Sequence, residues 1–283
     1  MVKLLIMTKI LNGRELAEFI QERQAKQVRG LRQAEGISPK LAIIRTNPDP
    51  IVDSYMRIKQ RYGEEIGVAV EVHTIDQAEA LATINQLNAD ESVNGIIVQI
   101  PLPDPTQTDE ILNAVTPEKD VDGLAANTSF DAPTPMAISW LLAGYNVELS
   151  KGKKIVIVGH GRLVGRPLAA MWKHSDYDVL VLDKESGELG ETLQQADVVI
   201  SATGVPGLIT ADMIKQDAVV VDAGVATDKN GLVGDVAPEV RELPDISITP
   251  EKGGVGPLTV AALFDNVIRA ARMKVEEQRA DAA

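Results

Sequence analysis

Lys154-Ile-Val-Ile-Val158-Gly159-His160-Gly161-Arg162-Leu163-Val164-Gly165-Arg166-Pro167 decides the fold. An unbroken apolar run that stops at a glycine marks a strand buried on both faces. Glycines at 159 and 161 permit a tight turn and a close approach of backbone to phosphate. The helix expected next offers unpaired N–H groups and the positive end of its dipole. The third glycine, Gly165, comes one residue later than in the usual G-x-G-x-x-G. The stretch reads as a dinucleotide-binding turn or as a plain glycine turn of an α/β domain, and its place between strand and helix favours the first. Asp183 closes the next strand, where a ribose-binding carboxylate belongs, about 20 residues beyond the turn. It reads equally well as a strand-end or capping residue.

The same rhythm extends in both directions. Val179–Leu182, Val198–Ser201 and Val219–Val221 follow as strands; Leu41–Ile44, Val68–Val72 and Gly95–Ile100 precede. Between them, Leu16, Phe19, Ile20, Val28 and Leu31 keep helical spacing, and further helices are expected over Tyr55–Ile66, Ala78–Leu87 and Met136–Leu142. Strands alternating with helices predict an α/β protein whose parallel sheets carry helices on both faces. Prolines and aspartates crowd residues 104 to 135, which marks a boundary. We therefore expect two domains with a deep cleft between them. Residues 1–137 form an N-terminal α/β domain with a parallel sheet, and 138–257 a Rossmann-like dinucleotide-binding domain. A tail helix over Leu258–Met273, with Pro257 near its first turn, begins a segment (258–283) that packs back onto the first domain. Residues 279–283 are expected to fray.

Composition narrows the chemistry. The 283 residues are 45% hydrophobic and 24% charged, the balance of an ordinary globular protein. The absence of cysteine removes disulfides, thiolate nucleophiles and cysteine-based zinc sites. His73, His160 and His174 lie far apart without metal-ligand spacing, so no metal is expected. A net charge of −13, from 28 basic and 41 acidic residues, argues against nucleic acid or anionic lipid as partner. No apolar run reaches the roughly 18 residues of a membrane span. Met1–Met7 is too short for the core of a signal peptide, and Met1 or Met7 would serve as the start; a cytoplasmic enzyme is expected.

Several polar residues stand where chemistry could use them. Tyr55 and Lys59, four apart, share one helical face. Gln99 ends its strand on the side where open α/β sheets bind ligands, and Asp122 occupies a turn after a proline. Each has a plain structural reading, and spacing alone does not bring them together. The glycines of Gly253-Gly-Val-Gly256 permit close backbone approach to a ligand or form an interdomain turn.

Motifs in order carry a resemblance: Tyr55-x-x-x-Lys59, Gly95-Ile-Ile-Val-Gln-Ile-Pro-Leu-Pro103, Pro117-Glu-Lys-Asp-Val-Asp-Gly123, Pro133-Thr-Pro135, Val164-Gly-Arg-Pro167, Gly234-Asp-Val236 and Gly253-Gly-Val-Gly-Pro-Leu-Thr259. From about Thr8 to Ala271 the chain resembles the bifunctional methylenetetrahydrofolate dehydrogenase/methenyltetrahydrofolate cyclohydrolase family. The resemblance implies hydride transfer from 5,10-methylenetetrahydrofolate to NAD or NADP, then hydrolysis of the methenyl product to 10-formyltetrahydrofolate. It implies a catalytic lysine at Lys59, a stacking aromatic at Tyr55, a partner to the lysine at Gln99 and a pterin-holding aspartate at Asp122. Gly254, Pro257 and Thr259 match the loop beside folate and nicotinamide. Gly159, His160, Gly161, Arg162, Val164, Gly165, Asp183, Thr203 and Gly204 make the cofactor set. A homodimer through the Rossmann-like domains is also implied.

For a lysine to act as a base near neutrality its pKa must fall by about 3 units, roughly 4 kcal/mol. A desolvated site lowers it, and a neutral glutamine partner does not stabilise the cation as a carboxylate would.

The chain departs from the family pattern at four places. His160 and Gly161 replace the arginine and serine that hold the 2′-phosphate of NADP, while Asp183 would repel that phosphate and accept hydrogen bonds from a ribose 2′-hydroxyl. NAD is therefore expected over NADP, with Arg162 the residue that could reverse this. The stretch from Gly123 to Pro133 is shortened, Val52 stands for a serine, and Ala137 and Val205 replace a glycine and a lysine. Three outcomes follow: a bifunctional enzyme, a dehydrogenase with weak or absent cyclohydrolase, or a binding protein without turnover. The complete set of Tyr55, Lys59, Gln99 and Asp122 favours an enzyme.

Overall fold

The computed structural model describes residues 8–228 and 231–281. The Met1–Met7 stretch, Ala282 and Ala283 lie outside the described residues. In chain order the elements are β1 (Lys9–Ile10), α1 (Gly13–Glu35), β2 (Lys40–Arg45), α2 (Pro50–Ile66), β3 (Ala69–Thr74), α3 (Ala80–Ala89), β4 (Gly95–Val98) and α4 (Thr108–Asn113). There follow α5 (Pro133–Gly144), β5 (Ile155–Val158), α6 (Gly165–His174), β6 (Val179–Leu182), α7 (Leu189–Leu193), β7 (Val198–Ser201) and β8 (Val219–Asp222). The hairpin strands β9 (Ala226–Asp228) and β10 (Gly231–Val233), then β11 (Ser247–Ile248) and α8 (Val255–Asp281), complete the chain.

Contacts divide the chain into two units, neither continuous in sequence. One holds Glu18–Pro133 with the end of the chain from Val260; the other holds Thr134–Thr259 with its start up to Ala17. We refer to them by their sheets, three-stranded and six-stranded. The expected division at 137/138, with 258–283 returning to the first domain, differs from the contacts at the chain's start, which they place with the six-stranded unit.

In the three-stranded unit the sheet runs β3-β2-β4, all parallel. Alternation along β2 explains why the run Leu41–Ile44 is apolar throughout. Leu41 and Ile43 face a core with Val28 of α1, Val52 and Met56 of α2, and Phe264, Val267 and Ala271 of α8. Ala42 and Ile44 face a second core with Ile84 and Leu87 of α3 and Ile111 and Leu112 of α4. The expected apolar face of α1 is corrected at Phe19, which is 74% exposed; Val28 and Leu31 carry the burial. The expected strand Gly95–Ile100 is shorter, ending at Val98, where the chain turns toward the Pro101-Leu-Pro103 segment.

The six-stranded sheet has the order β1-β11-β8-β7-β5-β6, every pair parallel. Counted from β5, its strands stand 2-1-3-4-5, a doubly wound order with its switch point between β5 and β7. The Gly159 turn leaves the carboxyl end of β5 at that point. One face packs Val156, Val158, Val199, Val220 and Ile248 against Leu193, Val236 and Val240. Among the described residues no helix is long and apolar enough to cross a membrane.

Candidate active site

Lys59 lies two turns into α2, whose inner face is anchored by Val52 and Met56. Its Nζ donates to Oε1 of Gln99 at 3.2 Å. Gln99 is held at both ends: its backbone N–H donates to Ile44 O at 2.9 Å, and its Nε2 donates to Ile100 O at 3.1 Å. With the amide nitrogen committed to a carbonyl, the amide oxygen is the end presented to the lysine. Desolvation pulls the Lys59 pKa below the usual lysine value, and the Asp122 carboxylate works against that shift. The Asp122 pKa in turn is raised by its own desolvation, with Lys59 lowering it and Asp120 raising it. Lys59, Gln99 and Asp122 thus form one coupled group. Tyr55 stands one helical turn before Lys59, partly buried, and burial raises its phenol pKa.

The loop carrying Asp122 is built from backbone contacts. Ile96 N of β4 donates to Lys119 O, and Lys119 Nζ donates to Leu87 O, Asn88 O and Asp90 O, capping the end of α3. The Asp120 carboxylate, 4% exposed, accepts from the N–H groups of Leu124 and Ala125. Between them Gly123 adopts φ +63°, and a Cβ there would lie 2.8 Å from Phe130 O and Ala132 N. The shortened stretch after Asp122 therefore closes tightly on itself.

In the six-stranded unit, Gly159 N donates to Leu182 O at 2.7 Å, setting the turn beside the end of β6 and Asp183. Gly159 takes φ +104°, and a Cβ at Gly165 would land on the Gly159 carbonyl. The third glycine, displaced in sequence, thus lets the start of α6 close against the turn. A Cβ at Gly161 would meet open space, so here the backbone is accessible to a ligand. His160 is exposed, whereas Arg162 and Val164 are partly buried. These features fit a nucleotide pyrophosphate at the N-terminus of α6.

Asp183 has the capping role left open by its sequence position: Oδ1 accepts from Glu185 N at 3.0 Å and Ser186 Oγ at 2.7 Å. These bonds, with His160 contributing, lower its pKa and keep it ionised. Thr203 donates its backbone N–H to Asp235 Oδ2 at 2.6 Å, and its Oγ1 accepts from Val205 N. Gly204 is exposed at φ +70°. Gly254, buried, Pro257 and Thr259 also belong to this unit. The Thr259 hydroxyl bonds Val255 O at 3.3 Å, and Gly253 O accepts from Arg14 N.

Sequence reasoning passed over the polar residues beneath these sites. Asp222 accepts from the N–H groups of Gly224, Asp235 and Val236 and pairs with Arg241 at 3.2 Å; Asp235 also accepts from Ser201. The signal was present, since a charged residue ending an all-valine run needs a partner. Asn266, an amide inside an apolar helical stripe, gave the same signal. Among the described residues no group of three or more His, Asp or Glu is placed to hold a metal ion.

Two family models cover most of the chain. The tetrahydrofolate dehydrogenase/cyclohydrolase catalytic domain matches residues 11–122, and the NAD(P)-binding domain of the same family matches 132–275. The bifunctional protein FolD of Staphylococcus aureus (strain Newman) is 36% identical, over 95% of this chain and 98% of its own length. A solved structure of the bifunctional enzyme FolD from Campylobacter jejuni superposes with TM-score 0.89 at 35% identity, covering 94% of this chain and 99% of that one. The Trypanosoma brucei methylenetetrahydrofolate dehydrogenase-cyclohydrolase, solved with NADP and an inhibitor, superposes with TM-score 0.88 at 28% identity, covering 95% and 99%. On this evidence, the chain belongs to the tetrahydrofolate dehydrogenase/cyclohydrolase family.

Proposed function

We propose that the protein oxidises 5,10-methylenetetrahydrofolate and hydrolyses the methenyl product to 10-formyltetrahydrofolate, with NAD preferred over NADP. The observation that carries this reading is the desolvated Lys59 bonded to the neutral Gln99 beside Asp122. Asp122 accepts hydrogen bonds from the amino and ring N–H groups of the pterin, and Tyr55 stacks on the ring. NAD, when bound, supplies the acceptor for the hydride leaving the methylene carbon. In the second step, water adds its oxygen to the methenyl carbon and Lys59 Nζ takes the proton released. The bond from that carbon to the pterin nitrogen N5 then breaks, and N5 receives the remaining hydroxyl proton as the formyl group forms. Gln99 Oε1 aims the lysine throughout.

Three features support the preference for NAD. The turn has neither arginine nor lysine at His160 and Gly161, Asp183 is ionised beside it, and Oδ1 is occupied by its own turn, leaving Oδ2 to accept from a ribose hydroxyl. We extend the reading to a cytoplasmic homodimer through the six-stranded units. Edge strand β6 supports this, since Leu180 on it is half exposed.

The test compares initial rates with NAD and NADP at equal concentration, following reduced cofactor and methenyl product separately. Faster turnover with NAD and little methenyl accumulation are expected. A clear NADP preference would overturn the cofactor reading, and accumulating methenyl product would leave only the dehydrogenase. Lys59→Met should lower the hydrolysis rate by roughly 100-fold or more while folate still binds. An unchanged rate would remove Lys59 from the chemistry.

A further inference from the structure

Asp122 is the residue of the proposed folate site with the least regular support. It belongs to no helix or strand, and the loop after it runs to Ala132 before α5 begins. Its two limbs are tied together from outside the loop. Asn266 of α8 is 1% exposed, and its Nδ2 donates to Val121 O at 2.9 Å and to Asp131 O at 2.9 Å. One side-chain amide thus spends both protons on carbonyls at opposite ends of a loop 145 and 135 residues away in sequence. The first of these carbonyls belongs to the peptide that leads directly into Asp122. Arg269, one turn later on α8, lies over the Phe130 ring at 5.5 Å and holds the same limb.

The loop itself leaves little slack. Asp120 gathers Leu124 and Ala125, Thr128 Oγ1 donates to Asp120 O at 3.3 Å, and Gly123 is packed against the 130–132 backbone. Loss of the Asn266 clasp would therefore leave the buried Val121 carbonyl unpaired and release the Asp131 limb, loosening the peptide that carries Asp122.

We propose that Asn266 is a positioning residue for the folate site, clasping Val121 and Asp131 so that the Asp122 carboxylate is fixed against the pterin and Lys59. This rests on the reading that Asp122 holds the pterin. It makes α8 part of the substrate site's frame although none of its residues in this unit need touch the substrate.

Asn266→Leu keeps the volume and removes both donors, and Asn266→Ser is a smaller perturbation for use should the leucine variant fail to fold. Both are compared with Asp122→Asn for folate KM, NAD KM and the pH profile of methenyl hydrolysis. The Asn266 variants should raise folate KM by roughly fivefold or more, in line with two lost hydrogen bonds, and leave NAD KM within about twofold. Because Asp122 supports the charge on Lys59, its displacement should also move the rising limb of the hydrolysis profile to lower pH, as Asp122→Asn should. A loss of thermal stability alone, with folate KM and the limb unchanged in a folded variant, would overturn the proposal. If Asp122→Asn itself leaves folate KM unchanged, the reading of Asp122 fails and the role of Asn266 falls with it.

Discussion

Lysine is a poor base at neutral pH because its ammonium is strongly hydrated, so the environment of Lys59 decides its use. Burial lowers its pKa, and the partner at 3.2 Å is an amide rather than a carboxylate. The sign of a substitution follows directly. Gln99→Glu would put a negative charge beside Nζ and raise the lysine pKa by about 1–3 units. The neutral fraction at pH 7 would fall, so hydrolysis should slow by roughly 10- to 1000-fold and recover as pH rises. A pH–rate profile with its limb displaced upward is the expected result; an unmoved limb would show that Lys59 does not titrate in the rate. Residue types at 55, 59, 99 and 122 were legible in the sequence through the family motifs, but their meeting depends on β4 lying beside β2 and on the loop from Lys119. Asn266 was not legible as a site residue, because its partners are main-chain carbonyls that no sequence pattern distinguishes.

At the scale of elements, long apolar runs were easy to read and short polar ones were not. β2, β5 and β7 are nearly continuous in Leu, Ile and Val because both faces are covered, and edge strand β6 is as apolar although Leu180 is half exposed. β1 and β11 are two residues each, and β9 and β10 three each, too short to carry a period. Helix α8 continues to Asp281, beyond both the expected end at Met273 and the start of the expected fraying at Arg279. Its last turns are held by pairs from Lys274 to Glu91 and Arg279 to Glu35. The displaced glycine of the cofactor turn is explained only by packing, since the start of α6 has no room for a side chain against Gly159. Gly165→Ala should therefore push α6 from the turn and weaken binding of reduced cofactor by roughly tenfold or more, with folate binding retained. Fluorescence titration with reduced cofactor measures this, and unchanged affinity would show that the turn does not hold the nucleotide.

Across the whole molecule, the order of residues in the chain and the membership of the two units disagree. Phe264, fully buried, stacks on Tyr62 at a centroid distance of 5.0 Å and joins residues of α1, β2 and α2 in one core. Phe264→Ala should cost about 3–5 kcal/mol, read as a lower urea midpoint, with the three-stranded unit the first to lose structure. A loss under about 1 kcal/mol would mean that α8 is peripheral to that core. The alternation of strands and helices was enough to read two α/β sheets, and the tail helix was expected to return to the first domain, but the crossing of the chain's start into the six-stranded unit was not foreseen. A terminal segment of two strand residues does not announce which sheet it serves.

That exchange sets an order of events on the ribosome. The six-stranded unit has all of its chain once Thr259 has emerged, because its edge strand β1 was synthesised first. The three-stranded unit, although most of it is translated earlier, lacks Phe264, Val267 and Ala271 until the last helix leaves the exit tunnel. At roughly 5–20 residues per second, Lys59 and Asp122 wait many seconds in an incomplete unit. The nascent chain thus completes the unit with the Gly159 turn before the unit with Lys59 and Asp122, and a polypeptide released early would carry the first without the second.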